Sequence, residues 1–118
     1  MDKTGTSLAI KFIMTLIVAA IAFYFLERNA WTWILAVSIV TTAVNYLIGD
    51  LVILPSYGNI VASIGDGVMA GLVAYIMSLL FTTFDLTITA ILTFGVLIAI
   101  GEYFFHQYLI RNDEVESS

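Results

Sequence analysis

Three acidic residues, Asp50, Asp66 and Glu102, stand inside stretches that are otherwise apolar enough to cross a membrane, and Lys11 and His106 share that setting. A charged side chain at the centre of a lipid-embedded helix costs about 2.5–3.5 kcal/mol on insertion scales, which makes each of these positions a candidate site by default. Asp50 and Asp66 lie eight residues on either side of Gly58, roughly 12 Å along a helix at about 1.5 Å per residue. On antiparallel neighbouring helices they therefore share a depth. Each follows a glycine, in Ile48-Gly49-Asp50 and Ile64-Gly65-Asp66, which leaves room for a close backbone or a water. Glu102 precedes Ile110 by eight residues, with His106 one turn nearer the same surface, and Lys11 enters from that side too. Asn45 lies near Asp50 in sequence, but a five-residue offset on an α-helix turns the two side chains about 140° apart, so no direct pairing is expected.

Several chemistries fit this set. The five residues suit a structural network in which Lys11 and His106 pair with the acids and fix helix register. They equally suit a proton- or cation-coupled transporter or channel using Asp50, Asp66 and Glu102, because like carboxylates held close resist carrying charge together, the property that coupled sites exploit. A small ligand, a lipid headgroup or a divalent metal ion is the third reading, although no recognised ligand spacing is present. No nucleophile motif, phosphate-binding loop or His-Glu-x-x-His pattern occurs, so an enzyme is not expected. No cofactor is expected either.

The elements that must position these residues follow from composition. Of 118 residues, 61% are hydrophobic and 11% charged, and the mean hydropathy is +1.03; soluble domains have about 45–50% apolar and about 25% charged residues. Apolar runs over 8–26, 30–54, 60–81 and 86–110 each reach the roughly 20 residues that a spanning helix needs. Their breaks are short, so consecutive helices are antiparallel neighbours. The expected fold is all-α: an integral membrane antiparallel four-helix bundle, one domain over 1–118 with an acidic tail at 111–118. Small residues at Ala20 and Ala22 mimic a signal-peptide cleavage site, but the apolar run continues through Leu26 and reads as an uncleaved span. Zero cysteines exclude disulfides and thiolate chemistry, and four Lys and Arg leave no footprint for nucleic acid.

Lys3, Lys11 and Arg111 fall on the side of both termini and Arg28 alone on the other, which predicts both termini in the cytoplasm. Tyr24, Trp31, Trp33, Phe81 and Phe84 form one interfacial belt, and Tyr57, Tyr103 and Tyr108 the other. Helix association in lipid depends on close packing through small residues. Ser63, Gly67 and Gly71 on the third run, and Gly95 and Ala99 on the fourth, are the candidate packing positions; the same small faces suit a homo-oligomer. Lys11, Thr15, Ala19 and Ala22 share one face of the first run, so its charge points into the bundle.

Two stretches resemble a known family. Ile10-Lys11-Phe12-Ile13-Met14-Thr15 opens the first run, and Tyr46 to Pro55 with Gly58 to Asp66 forms the middle hairpin, with its two Gly-Asp pairs, Pro55 and Asn59. Together they resemble the YndM-like family of small four-helix membrane proteins of Gram-positive bacteria, best between Leu8 and Asp66 and also in length and span number. The resemblance implies a bacterial cytoplasmic membrane and a lipid-bilayer environment. It implies no activity, since that family has no known function. Small multidrug transporters also have four spans in this length, but they carry an acid within the first helix where this chain has Lys11.

Overall fold

Apolar runs of this length find no water in a bilayer to satisfy their backbone, and a helix meets every N–H and C=O within its own segment. In the computed structural model, which describes residues 3–111, four helices are long and apolar enough to cross a membrane: Gly5–Phe25, Trp31–Tyr57, Asn59–Leu80 and Ile88–Gln107. The chain is an all-α membrane protein with four candidate spans. The last helix continues to Arg111. The tail residues Asp113, Glu114 and Glu116, and the side chains of Lys3, Tyr108 and Arg111, lie outside the described residues. Around the bundle the first span packs on the second, the second on the third, the third on the fourth, and the fourth returns to the first.

Both turns at the ends of the second span differ from simple loops. Pro55, expected in a connection, lies in the last helical turn Leu54–Tyr57, and the break is Gly58 alone, at φ 88° and ψ 175°. Glycine takes that conformation without steric strain. Ahead of the proline, Asn45–Ile53 is a π-helix, and the Leu54 N–H reaches the Gly49 carbonyl five residues back. Proline donates no hydrogen bond and crowds the carbonyl one turn earlier. A ladder reset to i→i+5 spacing just before it accommodates both demands. The first span also ends in a π-helical turn, Ala20–Phe25, and Arg28 then turns the chain at φ 59°.

The bundle is apolar outside, and its charged side chains lie inside. Ile13, Ile17, Ile39, Leu47, Leu72 and Val96 are exposed, whereas Lys11, Thr15, Asn45, Asp50, Asp66, Glu102 and His106 are buried. That inversion is what a lipid solvent selects, since charge inside a membrane protein turns toward the bundle interior. The half distant from Gly58 is filled by Phe23, Phe84 and Phe94, with ring centroids 5.5 and 4.8 Å from Phe23, among Ile34, Val37 and Ala74. Asn29 ties the two loops there together: its Nδ2 donates to the carbonyls of Phe23 (3.1 Å) and Asp85 (2.9 Å), and its Oδ1 accepts from the Asp85 N–H (2.8 Å). Toward Gly58, Leu54, Ala62 and Phe105 form a smaller apolar cluster, beside which Asn59 and Ser63 reach His106. The charged residues lie between these two apolar clusters.

The third and fourth spans meet backbone to backbone. A Cβ added to Gly67 would lie 2.6 Å from the Gly95 carbonyl oxygen and 2.9 Å from the Ala99 Cβ, and one on Gly95 would lie 3.0 Å from the Gly67 carbonyl. Gly71 sits in ordinary contact with Ile91, at 3.7 Å. Gly67, Gly71, Gly95 and Ala99 thus line one seam inside the chain, while Ser63 turns its hydroxyl to His106.

Candidate functional site

Every span sends at least one charged or ionisable side chain to a single contact network. The first contributes Lys11, the second Asp50, the third Asp66, and the fourth Glu102 and His106; all five are 0% exposed. The Lys11 ammonium lies 3.2 Å from Asp50 Oδ2, pairs with Glu102 Oε2, and stands 4.9 Å over the Phe105 ring. His106 Nε2 faces three carboxylates at once: Asp50 Oδ1 at 2.7 Å, Asp66 Oδ2 at 3.0 Å and Glu102 Oε2 at 3.3 Å. Among the described residues Asp66 pairs with His106 and not with Lys11. The sequence alone left the choice of partners open.

Local packing explains why these groups converge. A Cβ on Gly49 would fall on the Asp66 carboxylate, so the glycine before Asp50 admits the third span's acid against the second span's backbone. Gly65 has no such role; its nearest neighbour is Ile53 Cδ1 at 3.5 Å. On the fourth span, Gly101 receives the Met14 thioether, whose sulfur would be 2.7 Å from an added Cβ. That contact seats the first span with Lys11 beside Glu102. In each case a missing methyl lets a neighbouring span approach the acid.

Two residues that the sequence did not mark as functional orient the histidine. His106 Nδ1 is 2.9 Å from Asn59 Oδ1 and 3.2 Å from Ser63 Oγ. Asn59 Nδ2 donates to the Tyr103 carbonyl at 3.0 Å, which fixes its amide with the oxygen turned toward the ring. The Ser63 hydroxyl donates to the same Asn59 oxygen at 3.0 Å. An amide oxygen only accepts, so His106 Nδ1 carries a hydrogen and Nε2 is presented to the carboxylates. Asn59, Ser63 and Asp66 recur at four- and three-residue spacing, one polar face of the third span, and that was the available signal.

Asn45 makes no hydrogen bond to Asp50, as expected, but the α-helical offset is not the reason. The α-helical estimate turned it away from Asp50, but both lie in the π-helical stretch Asn45–Ile53. With i→i+5 bonds a residue five positions on returns near the same side, and both side chains are fully buried. The Asn45 amide makes no hydrogen bond, nor does the Thr15 hydroxyl one turn along from Lys11. Asp66 Oδ1 and Glu102 Oε1 receive none either. A buried polar group left unsatisfied costs about 1–3 kcal/mol. The cluster therefore contains acceptor capacity that the protein does not fill. A carboxylate oxygen likewise only accepts, so Nε2, 2.7 Å from Asp50 Oδ1, donates as well, and Lys11 and an imidazolium His106 leave one of the three carboxylates without a counter-charge.

The chain matches, over residues 2–117, the family described as "Protein of unknown function (DUF2512)". It is 36% identical over 70 residues to "Uncharacterized membrane protein YndM" of Bacillus subtilis (strain 168), a segment covering 58% of this chain and 39% of that protein. The relative is thus the longer of the two, so the expected likeness in length does not extend to it. No solved structure matches the chain. The chain belongs to the DUF2512 family, as a YndM-like membrane protein.

Proposed function

We propose that this member of an uncharacterised membrane-protein family is a small inner-membrane scaffold or partner-binding protein whose four spans are locked together by a buried ion-pair network. The observation that carries this reading is that each span supplies a charged or ionisable group to one fully buried set of contacts. Removing one partner from a buried pair costs about 3–5 kcal/mol, because the other charge is left without compensation. A network on four helices fixes their relative depth and rotation, as a scaffold needs. No catalytic role is part of this reading. It includes the bacterial cytoplasmic membrane with both termini on the cytoplasmic face, from the distribution of Lys3, Lys11 and Arg111 against Arg28.

A second reading, proton- or cation-coupled translocation, is favoured by one observation: Asp50 stands in a π-helical stretch, a form concentrated at functional sites. Purified protein reconstituted into dye-loaded vesicles separates the two. A scaffold gives proton and cation leak equal to that of empty vesicles under an imposed potential, while Asp50→Asn and Asp66→Asn lower the unfolding midpoint. Flux in the wild type that either substitution abolishes, with the fold retained, overturns the scaffold reading.

A further inference from the structure

We propose that Asp50, Asp66, Glu102 and His106 form a binding site for one first-row divalent transition-metal ion, of the manganese, iron or zinc class, enclosed in the centre of the four-span bundle. The inference uses the same cluster as the functional reading above but rests on neither the scaffold nor the translocation version. One ligand atom from each of the four residues lies within 4.8 Å of the others. The three separations from His106 Nε2 are 2.7, 3.0 and 3.3 Å. Ligands held about 2.0–2.2 Å from one ion stand roughly 3.3–4.4 Å apart, so small side-chain adjustments suffice to close the shell.

Carboxylates alone do not make a site; an independent feature here is the support behind the histidine. Metal-bound imidazoles characteristically donate their other ring N–H to an oxygen that fixes tautomer and orientation. His106 Nδ1 meets Asn59 Oδ1 at 2.9 Å, and that amide is itself held by the Tyr103 carbonyl. Nε2 is thereby directed at the three acids, and an ion that replaces its proton would meet its lone pair there. Both Asp66 carboxylate oxygens and Glu102 Oε1 are fully buried and receive no hydrogen bond, and Asp66 Oδ2, 3.0 Å from His106 Nε2, is the one that faces the imidazole as a donor to an ion. Charge agrees once the ion takes the place of the Nε2 proton: Lys11 and a neutral His106 then leave two surplus negative charges on three carboxylates, which one divalent ion cancels. Three carboxylate oxygens and one imidazole nitrogen form a donor set that suits manganese, iron or zinc better than copper(I), which favours sulfur. Asn59, partly exposed near Gly58 and 2.9 Å from His106, gives the cluster a polar edge on that side from which an ion can enter.

The test uses the whole chain without a polyhistidine tag, produced in cells given Mn2+ in medium depleted of iron and zinc, and extracted in mild detergent. Elemental analysis is expected to find roughly one manganese per chain retained through gel filtration. Pulsed electron paramagnetic resonance is expected to show coupling to an imidazole nitrogen. His106 is the single histidine of the sequence, so that signal assigns the ligand without any variant. Asn59→Leu leaves all four ligands in place and should weaken retention about 10–100-fold. Absence of manganese from the folded wild type overturns the proposal, as does bound manganese without nitrogen coupling.

Discussion

His106 meets oxygen on every side, with Asn59 and Ser63 at one ring nitrogen and three carboxylates at the other. Lys11 faces only two acids, Asp50 and Glu102. These unequal partnerships give a residue-level prediction. Lys11→Met should destabilise the bundle by about 3–5 kcal/mol, since it strands buried negative charge. Adding Glu102→Gln should recover part of that loss, and adding Asp66→Asn should recover less, because Asp66 pairs with His106. Denaturant unfolding in micelles of the wild type, the three single variants and the two double variants reads the couplings as two double-mutant cycles. Equal recovery by both second substitutions would remove the assigned partnership.

Among the elements, the seam between the third and fourth spans depends on two glycines that face each other, and the second–third seam on Gly49. Gly67→Val should cost about 1–3 kcal/mol or more, because the added carbons meet the Gly95 carbonyl rather than a movable side-chain end. Gly71→Ala, whose Cβ would sit 3.7 Å from Ile91, should change the unfolding midpoint little. A comparison of the two thermal or denaturant transitions checks both. Gly49→Ala removes no charge, yet its Cβ would displace the Asp66 carboxylate. It should therefore destabilise the bundle much as Asp66→Ala does; an unfolding midpoint equal to wild type would show that the close approach at Gly49 is dispensable.

For the molecule as a whole, polar contents within an apolar exterior set the environment, and the short turns set the topology. An even number of spans puts the N-terminus and the residues after the fourth span on one side. Reporter fusions after Asn29, Asn59 and Asp85, and at Ser118, should give cytoplasmic signals only at the second and fourth positions. Cytoplasmic signals after Asn29 or Asp85 would reverse the orientation. Within the described residues the 40 Å long axis exceeds the roughly 30 Å hydrocarbon core. The Gly58 end and the Asn29–Asp85 end therefore both reach the interfacial layers. Trp33, whose Nε1 donates to Thr83 Oγ1 at 3.0 Å, stands at the latter.

Membrane residence, helix number and the inward direction of the charges were legible in the chain because each rests on local information. A run of apolar residues has nowhere to go but lipid, and a charge within it must face the bundle. The five charged residues were found on that basis, and their common end of the membrane followed from counting residues back to Gly58. Their partners were not legible. Whether Lys11 meets Asp50, Asp66 or Glu102 depends on how four helices rotate about their axes, and methyl-sized gaps at Gly49 and Gly101 settle those rotations. Asn45 stays unpaired with Asp50 as expected, although its direction does not follow the α-helical period across a π-helical stretch; Pro55 was misplaced because a proline was read as a break when the reset ladder carries the helix past it. Asn59 and Ser63 passed as turn and packing residues, since their value lies in the nitrogen they face on another span. Periodicity reports which face of a helix a residue occupies; only the packed bundle decides what stands opposite.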